Sequence, residues 1–289
     1  MVARPPRVSA PRLFVGCAQW RHADWQDGQL AASEALRHYA SHCTAVEGNT
    51  TFYATPTVRT VAGWAEQTDP DFRFAMKLPR TVTHERRLVR ADAELGEFFT
   101  ALRPLGPRVH AWWVQLPPTF GPAELGRLAG FLRELPAGPR RAVEVRHPDF
   151  FTDDRAAARL EQVLERADAE WVVFDTTVLF EGAAASPAEA EARAKKPRMP
   201  RRTRALTEFP MVRYHGRDDA DRTVAGWLPW VEVVTGWLRE GRSPTVFVHT
   251  PDNAGALGLA RRFHDAVRQR VPDLVPLPEP IATEPMTLF

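Results

Sequence analysis

The sequence contains only two cysteines in 289 residues, Cys17 and Cys43, and they lack the spacing of metal ligands. This excludes a disulfide framework and fits a reduced, cytoplasmic protein. No stretch of roughly 18 apolar residues occurs, so the sequence offers no helix that could cross a membrane, and we expect no membrane association. The formal net charge is only +2, so the overall charge identifies no partner.

The composition predicts one domain with two flanking segments. Residues 1–12 are rich in proline and arginine and lack the apolar core of a signal peptide, so we expect a disordered lead. Residues 13–272 contain no strong linker and are expected to form the domain, which carries a basic insertion at about 181–208. Residues 273–289 form a proline-rich tail.

Short apolar runs alternate with stretches of helical apolar spacing along this domain. Strands joined by helical crossovers are parallel, and eight such repeats in roughly 250 residues are typical of a TIM barrel. An open doubly wound sheet is the alternative, but VGCAQWRH is not the glycine-rich phosphate turn expected after its first strand. We therefore predict a single-domain α/β fold, a (β/α)8 TIM barrel, with strands at 13–17, 44–48, 72–77, 111–116, 141–146, 170–175, 211–216 and 245–250.

Polar residues stand at the carboxyl ends of these strands, where a TIM barrel places its active site. In the stretch AVEVRHPDFF, Glu144, Arg146 and His147 end an otherwise apolar strand. Each would be costly to bury without a partner. A structural ion pair that closes the barrel top is one explanation. Polar groups at all eight strand ends favour a shared site instead.

Side-chain chemistry suggests roles for these residues. Carboxylates and imidazoles supply acid–base catalysis, so the expected catalytic residues are Glu47, Glu144, His147, Asp175 and His215. Cationic and amide groups hold anions, and guanidinium groups bind phosphate or carboxylate through two hydrogen bonds. The expected substrate-binding residues are Asn49, Tyr53, Lys77, His84, Gln115, Arg146, Arg213, Arg217, His249 and Asn253.

The cations at these strand ends make an anionic, phosphorylated small molecule the first expected substrate, with hydrolase or isomerase chemistry. Glycoside hydrolysis by Glu47 and Glu144 ranks lower, because neighbouring cations oppose an oxocarbenium-like transition state. The same cations would repel a divalent metal, and neither HExxH nor His-x-His spacing occurs. We predict no cofactor and rank a divalent metal as a weaker alternative.

Nucleic-acid binding or DNA processing is the second expected function. The stretch ARAKKPRMPRRTRA, residues 192–205, contains seven lysines or arginines and no acid. Because it follows a strand, it would flank the site and attract phosphate backbones through Lys195, Lys196, Arg198, Arg201, Arg202 and Arg204. A solvated, partly disordered insertion is the simpler explanation.

The C-terminal tail ends in Leu288 and Phe289. Apolar residues at a free end can dock into the groove of a protein partner. A tail that packs on its own barrel or hangs free is the simpler alternative.

Six blocks of this sequence resemble the DUF72 family, also called YecE-like proteins: VEGNTTFYATP, FRFAMKLPRTVTHERRL, VQLPPTF, AVEVRHPDFF, VRYHGR and the turn after strand eight. The resemblance implies a TIM barrel and no particular reaction. The sequence departs from the family pattern in GCAQW, in VEGN and in VHTPDNAG. The family's characteristic polar residues correspond here to Glu47, Asn49, Thr51, Tyr53, Lys77, His84, Gln115, Glu144, Arg146, His147, Asp175, Arg213, His215 and Arg217.

Overall fold

A cylinder of parallel β-strands forms the centre of the protein. The computed structural model describes residues 10–25, 30–31 and 33–280. The strands are β1 (Phe14–Cys17), β2 (Ala45–Gly48), β3 (Arg73–Lys77), β4 (Val109–Gln115), β5 (Arg140–Glu144), β6 (Ala169–Trp171), β7 (Val173–Asp175), β8 (Met211–His215) and β9 (Thr245–His249). Their order in the sheet is β6-β5-β4-β3-β2-β1-β9-β8-β7.

The two ends of this sheet meet in one chain segment, which closes the cylinder. Strand β6 pairs with β5, strand β7 pairs with β8, and Val172 alone separates β6 from β7. The amide of Val172 donates to the Val143 carbonyl oxygen at 2.8 Å. The two short strands together occupy the place of the sixth strand predicted at 170–175, and the predicted TIM-barrel fold is confirmed.

Every second residue of the strands fills the inside of the cylinder. Four consecutive strands, β2 to β5, contribute alanine, which leaves room for the larger rings of the cluster. Trp113 and Phe247 stack across this space with their ring centroids 5.9 Å apart. The buried inner cluster consists of Phe14, Ala45, Ala75, Ala111, Trp113, Ala142, Val172, Met211 and Phe247.

Helices cover the outer face of the cylinder. They are α1 (Ala35–Ala40), α2 (Thr50–Tyr53), α3 (Val58–Glu66), α4 (Asp92–Leu102), α5 (Leu125–Glu134), α6 (Asp149–Thr152), α7 (Asp154–Arg166), α8 (Pro187–Lys195), α9 (Ala220–Arg239) and α10 (Ala256–Arg268). Local capping fixes where several begin: Asp153 accepts from the Arg155 amide at 2.8 Å before α7, and Asp219 accepts from the Arg222 amide at 2.9 Å before α9.

The insertion between β7 and β8 carries defined structure. Its helix α8 begins after Ser186, whose hydroxyl oxygen accepts from the Glu189 amide at 3.0 Å. The carboxylate of Glu189 is fully buried and pairs with Arg217, which follows β8, at 2.8 Å. This ion pair ties the insertion to the barrel.

The flanking segments are described only in part. Residues 1–9 and 281–289, with Leu288 and Phe289, lie outside the described residues, so the disordered lead and the docking tail stay predictions. In the part of the chain that the structure describes, no helix combines the length and apolar character needed to span a bilayer.

Gly16 on β1 offers a test of how closely the strands pack. A Cβ atom at this position would lie 2.0 Å from the Ala45 carbonyl oxygen, which belongs to the backbone of the neighbouring strand. We expect Gly16→Ala to lower the free energy of unfolding by at least about 2 kcal/mol, measured by urea unfolding.

The control is Gly236→Ala on α9, where a Cβ meets nothing within 4 Å. Alanine there should stabilise the helix by up to about 1 kcal/mol. Equal stability of the two variants would contradict the close approach of β1 and β2.

Candidate functional site

A polar cavity of about 410 Å³ lies at the carboxyl ends of the strands. Strands β3, β4, β8 and β9 each end in a residue that lines it, namely Lys77, Gln115, His215 and His249. The remaining predicted site residues that line this cavity are Asn49, Tyr53, Arg146, Arg213 and Asn253. The structure also brings in Ala18, Phe52, Lys195, Lys196, Thr250 and Pro251.

The polar residues at the cavity form the next layer of the barrel interior. Six polar strand residues each stand two positions after an apolar residue of the inner cluster, and side chains two positions apart on a strand point to the same side. The pairs are Ala45 and Glu47, Ala75 and Lys77, Trp113 and Gln115, Ala142 and Glu144, Met211 and Arg213, and Phe247 and His249. The alternation that fills the core therefore also delivers the polar groups.

Arg213 lies at the centre of this layer. Its Nε and one terminal nitrogen donate to the two carboxylate oxygens of Glu47 at 2.9 and 3.0 Å. Its other terminal nitrogen donates to Glu144 at 3.1 Å, and Arg146 Nε donates to the second Glu144 oxygen at 2.8 Å. Both carboxylates are 0% exposed and Arg213 is 4% exposed. The buried charge of Glu144 in AVEVRHPDFF is tolerated because Arg146 of the same stretch and Arg213 of β8 pair with it.

These contacts keep both carboxylates ionised. Burial alone would raise the pKa of Glu144, but the charges of Arg146 and Arg213 lower it to about 2. Burial also opposes ionisation of Glu47, and Arg213 and His249 hold the pKa of that carboxyl well below its usual range. Neither group exchanges a proton near neutral pH, and Glu144 does not line the cavity. The contacts place both carboxylates as ionised partners of arginine, and their expected catalytic role stays a prediction.

Two histidines face the cavity as a pair. The rings of His215 and His249 stack with their centroids 5.5 Å apart. His249 Nε2 lies 2.6 Å from a Glu47 oxygen, and His215 Nδ1 lies 3.3 Å from the Gly216 carbonyl oxygen. Burial lowers the pKa of both imidazoles, so they are neutral near pH 7. When the nitrogen facing oxygen carries the hydrogen, the other ring nitrogen is a proton acceptor.

The buried amine of Lys77 and the half-buried amine of Lys196 complete the cavity. Lys77 Nζ lies 2.9 Å from Gln115 Oε1 and 4.5 Å from the centroid of the Trp113 ring. Burial, with a further contribution from the charge of Arg213, lowers the pKa of Lys77 to about 7. Burial and the same guanidinium lower the pKa of Lys196 to about 8. The sequence analysis assigned Lys196 to the basic segment that was expected to bind nucleic acid. Its only predicted connection with the cavity was that this segment follows a strand.

Two predicted site residues have structural partners away from the cavity. Asp175 accepts from the indole nitrogen of Trp230 at 2.6 Å and from Arg201 Nε at 2.9 Å. Arg217 pairs with the buried Glu189 of the insertion. Sequence reasoning missed Glu189, because its helix was interpreted as low-complexity sequence.

The remaining two predicted histidines, His84 and His147, do not line this cavity. The ring of His147 packs against the backbone at Gly121, where an added Cβ would meet it at 3.0 Å. His84 contacts Phe52 edge-on, with ring centroids 5.0 Å apart. Burial and the charge of Arg146 lower the pKa of His84 to about 4.

A second cavity of about 690 Å³ adjoins the first, and the two share Ala18, Asn49 and Tyr53. Trp20 and Trp64 line this second space, with their rings edge-on and their centroids 5.2 Å apart. Trp64 lies on the outer helix α3. Nothing in the sequence around it indicated a functional role.

The sequence of the whole barrel matches a known family. The family model described as "Protein of unknown function DUF72" matches residues 14–283. The chain belongs to the DUF72 family. Two relatives of this DUF72 protein are the UPF0759 proteins YecE of Escherichia coli K12 and Escherichia coli O157:H7. Each is 35% identical over 266 residues, which cover 92% of this chain and 96% of the relative.

Solved structures of DUF72 family proteins share this fold. The protein from Thermotoga maritima MSB8 gives a TM-score of 0.68 at 21% sequence identity, covering 89% of this chain and 99% of its own. The protein from Enterococcus faecalis V583 gives 0.67 at 19% identity, covering 94% of this chain and 100% of its own. At these identities the likeness concerns the barrel fold alone.

The donor set of this DUF72 cavity bears on metal binding. Among residues 10–25, 30–31 and 33–280, no three His, Cys, Asp or Glu side chains are grouped so as to hold a metal ion. Glu47, which would be a natural ligand, is already paired with Arg213 and lies 4.0 Å from Lys77. The expectation that no cofactor is bound stays a prediction.

The buried carboxylate of Glu144 predicts a specific pH dependence of stability in this DUF72 protein. Its pKa in the folded state lies below the ordinary 4.5, so the stabilisation is present above about pH 4.5 and is lost as the pH falls towards 2. We expect Glu144→Gln to lower the free energy of unfolding by about 3 kcal/mol at pH 7, because two guanidinium groups lose their partner. The difference from the wild type should shrink below pH 4.5, measured by urea unfolding across pH.

The matched control for this experiment is Glu66→Gln, which changes an exposed glutamate on α3. Its effect should stay within about 0.5 kcal/mol at every pH. A Glu144→Gln variant with wild-type stability at pH 7, or with a loss that does not depend on pH, would contradict the ion-pair network.

Proposed function

We propose that this protein is an enzyme whose cavity binds an anionic, phosphorylated small molecule. The supporting observation is an excess of positive charge. Five basic side chains line the cavity, namely Lys77, Arg146, Lys195, Lys196 and Arg213. Three carboxylates pair with them, Glu191 with Lys195 and the buried Glu47 and Glu144 with the arginines, which leaves two positive charges in excess. A dianion such as a phosphate monoester would balance the excess, and it would find guanidinium and ammonium donors already in place.

The two histidines support acid–base chemistry at the same position. His215 and His249 are neutral near pH 7 and can accept a proton. The contact of His249 with Glu47, which Arg213 holds in turn, is the arrangement that orients a catalytic imidazole. Hydrolysis or isomerisation of a phosphorylated compound both need such a positioned base. Glu47 and Glu144 are then positioning residues.

The location on the barrel and the state of the cysteines support the rest of this proposal. TIM-barrel enzymes place their active sites at the carboxyl ends of the strands, where this cavity opens. Cys17 and Cys43 are both buried and unbridged. This favours a reducing compartment, so we place the proposed activity in the cytoplasm.

Sulfate binding tests the anion site, because sulfate stays a dianion throughout the neutral range. We expect affinity to fall roughly tenfold between about pH 6 and 9, since Lys77 and then Lys196 lose their protons. Lys196→Arg should bind more tightly than the wild type at pH 9, because a guanidinium keeps its charge. Lys196→Met should bind weakly at every pH. Isothermal titration calorimetry at constant ionic strength measures all three.

The control for the sulfate experiment is Arg159→Met, which removes an exposed charge from α7 on the outside of the barrel. It should leave both the affinity and its pH dependence unchanged. Undetectable sulfate binding by the wild type at pH 6 would overturn the anion-binding proposal.

A nucleic-acid partner remains the alternative function, and the charges of the insertion bear on it. Lys195 and Arg198 are exposed and Lys196 lines the cavity, which favours contact with a phosphate backbone. Arg201, in contrast, is paired with Asp175, and Arg202 with Glu161 at 2.5 Å. The basic segment therefore offers few unbalanced cations.

Salt-dependent DNA binding distinguishes the alternative. If only Lys195, Lys196 and Arg198 contact phosphates, the plot of log affinity against log salt should have a slope no steeper than about −3. We expect weak binding of short single- and double-stranded DNA with such a shallow slope. The nucleic-acid function would be favoured instead by a steeper slope in the wild type, together with a loss of this salt dependence in a Lys195→Gln, Arg198→Gln double variant.

A further inference from the structure

The lysines of this protein are confined to one place. The chain contains 38 lysines and arginines, and only three of them are lysines: Lys77, Lys195 and Lys196. All three line the polar cavity at the carboxyl ends of the strands. Everywhere else the chain uses arginine for positive charge. Arginine would also suffice in the cavity if a fixed charge were all that it required, so the amine itself deserves an explanation.

An amine differs from a guanidinium in being able to lose its proton and attack a carbonyl carbon. Among the three lysines, Lys77 has the surroundings that such a nucleophile needs. It ends β3 and is 5% exposed, so the barrel holds it rigidly at the wall of the cavity. Burial lowers its pKa to about 7, so a large share of the amine is uncharged at neutral pH. Lys195 instead is exposed and paired with Glu191.

The neighbours of Lys77 fit a reacting amine as well. Gln115 Oε1, at 2.9 Å, accepts a hydrogen from the amine whether it is charged or neutral. The Trp113 ring covers the other side, with its centroid 4.5 Å from Nζ. The nearest carboxylate, Glu47, is 4.0 Å away and has its oxygens engaged by Arg213 and His249. Lys77 thus lacks the close ion pair that would hold it permanently charged.

We propose that Lys77 is a nucleophilic residue that forms an imine with an aldehyde or ketone group of the substrate. The inference rests on the proposed anion-binding function and narrows it, because the substrate would then be an anion that also carries a carbonyl group. Arg146 and Lys196 would hold the anionic end, while Lys77 receives the carbonyl carbon.

The reaction needs no oxidant or reductant. The lone pair of Lys77 Nζ forms a bond to the carbonyl carbon, and the electron pair of the carbon–oxygen double bond moves to the oxygen, which takes a proton. The nitrogen gives up a proton to an acceptor on the same cavity, for which His215 and His249 are placed. The nitrogen then gives up its second proton and the oxygen takes one more, so that the oxygen leaves as water and the carbon–nitrogen double bond forms. Hydrolysis reverses every step.

Reductive trapping tests this proposal on the full-length protein. Glycolaldehyde phosphate carries both the anion and the aldehyde, and cyanoborohydride converts an imine into a stable secondary amine. Because the chain has only three lysines, peptide mass mapping assigns each adduct directly. We expect at least about tenfold more adduct on Lys77 than on Lys195. Lys77→Gln should lose this adduct and keep that on Lys195, with circular dichroism checking the fold, while Arg159→Met on the outside of the barrel should label Lys77 normally.

Two further readouts separate a nucleophile from a structural cation. The trapping rate at Lys77 should rise between about pH 6 and 8, as its amine loses the proton, and then level off. Sulfate should compete with glycolaldehyde phosphate for the site. Neutral glycolaldehyde, which has the same carbonyl and no phosphate, should show little preference for Lys77.

The outcomes distinguish this inference from the function on which it rests. If sulfate binds and Lys77 gains no more adduct than Lys195 or the N-terminal amine, the imine is overturned and anion binding stands. Preferred labelling of Lys196 overturns the assignment to Lys77 in the same way. If both aldehydes label Lys77 equally and sulfate does not bind, the nucleophile stands and the anion site fails.

Discussion

The buried guanidinium of Arg213 is the group on which the site depends. It joins Glu47 on β2 to Glu144 on β5, and all three are nearly or wholly inaccessible to solvent. Two ionised carboxylates this deep in a barrel would be very costly without a cation between them. Arg213 and Arg146 pair with the two carboxylates. The negative charge of the carboxylates in turn lowers the energetic cost of holding Lys77 and Lys196 nearby. The positive charge of the cavity therefore lies next to carboxylates whose own charge the arginines already balance.

The same arrangement divides the polar residues into two groups. The carboxylates are held ionised and do not change protonation near neutral pH. The groups that do titrate close to neutrality are the amines of Lys77 and Lys196. His215 and His249 are kept uncharged by burial. Proton acceptors and amines thus face the open space beside Arg146 and Arg213, while the carboxylate of Glu144 does not line it.

The sequence predicted the barrel and a large part of the cavity, because both follow from local patterns. Eight apolar runs predicted the strands, and the polar residues at their carboxyl ends predicted that Lys77, Gln115, His215 and His249 meet at one site. Position at a strand end does not say which neighbours pair, so the pairing of Arg213 with Glu47 could not be predicted. Asp175 shows the same limit: it ends a strand like the others, but Trp230 and Arg201 occupy its carboxylate.

Two further differences have physical causes outside the pattern. The sixth strand is interrupted at Val172, because its halves pair with different neighbours where the cylinder closes. Arg217 serves the insertion rather than the cavity, since Glu189 was hidden in a run of alanines and glutamates that resembles low-complexity sequence. Tertiary structure alone determines which strands pair where the barrel closes and which residue of an insertion pairs with the barrel.

The long separation between Arg213 and its partners along the chain has a kinetic consequence. Arg213 is 166 positions from Glu47 and 69 positions from Glu144. Contacts between such distant segments form only after most of the cylinder has assembled, so they contribute little to the transition state of folding. The network consequently slows the opening of the native barrel far more than it speeds its formation. The network would therefore extend the lifetime of the folded protein more than it raises the folding rate.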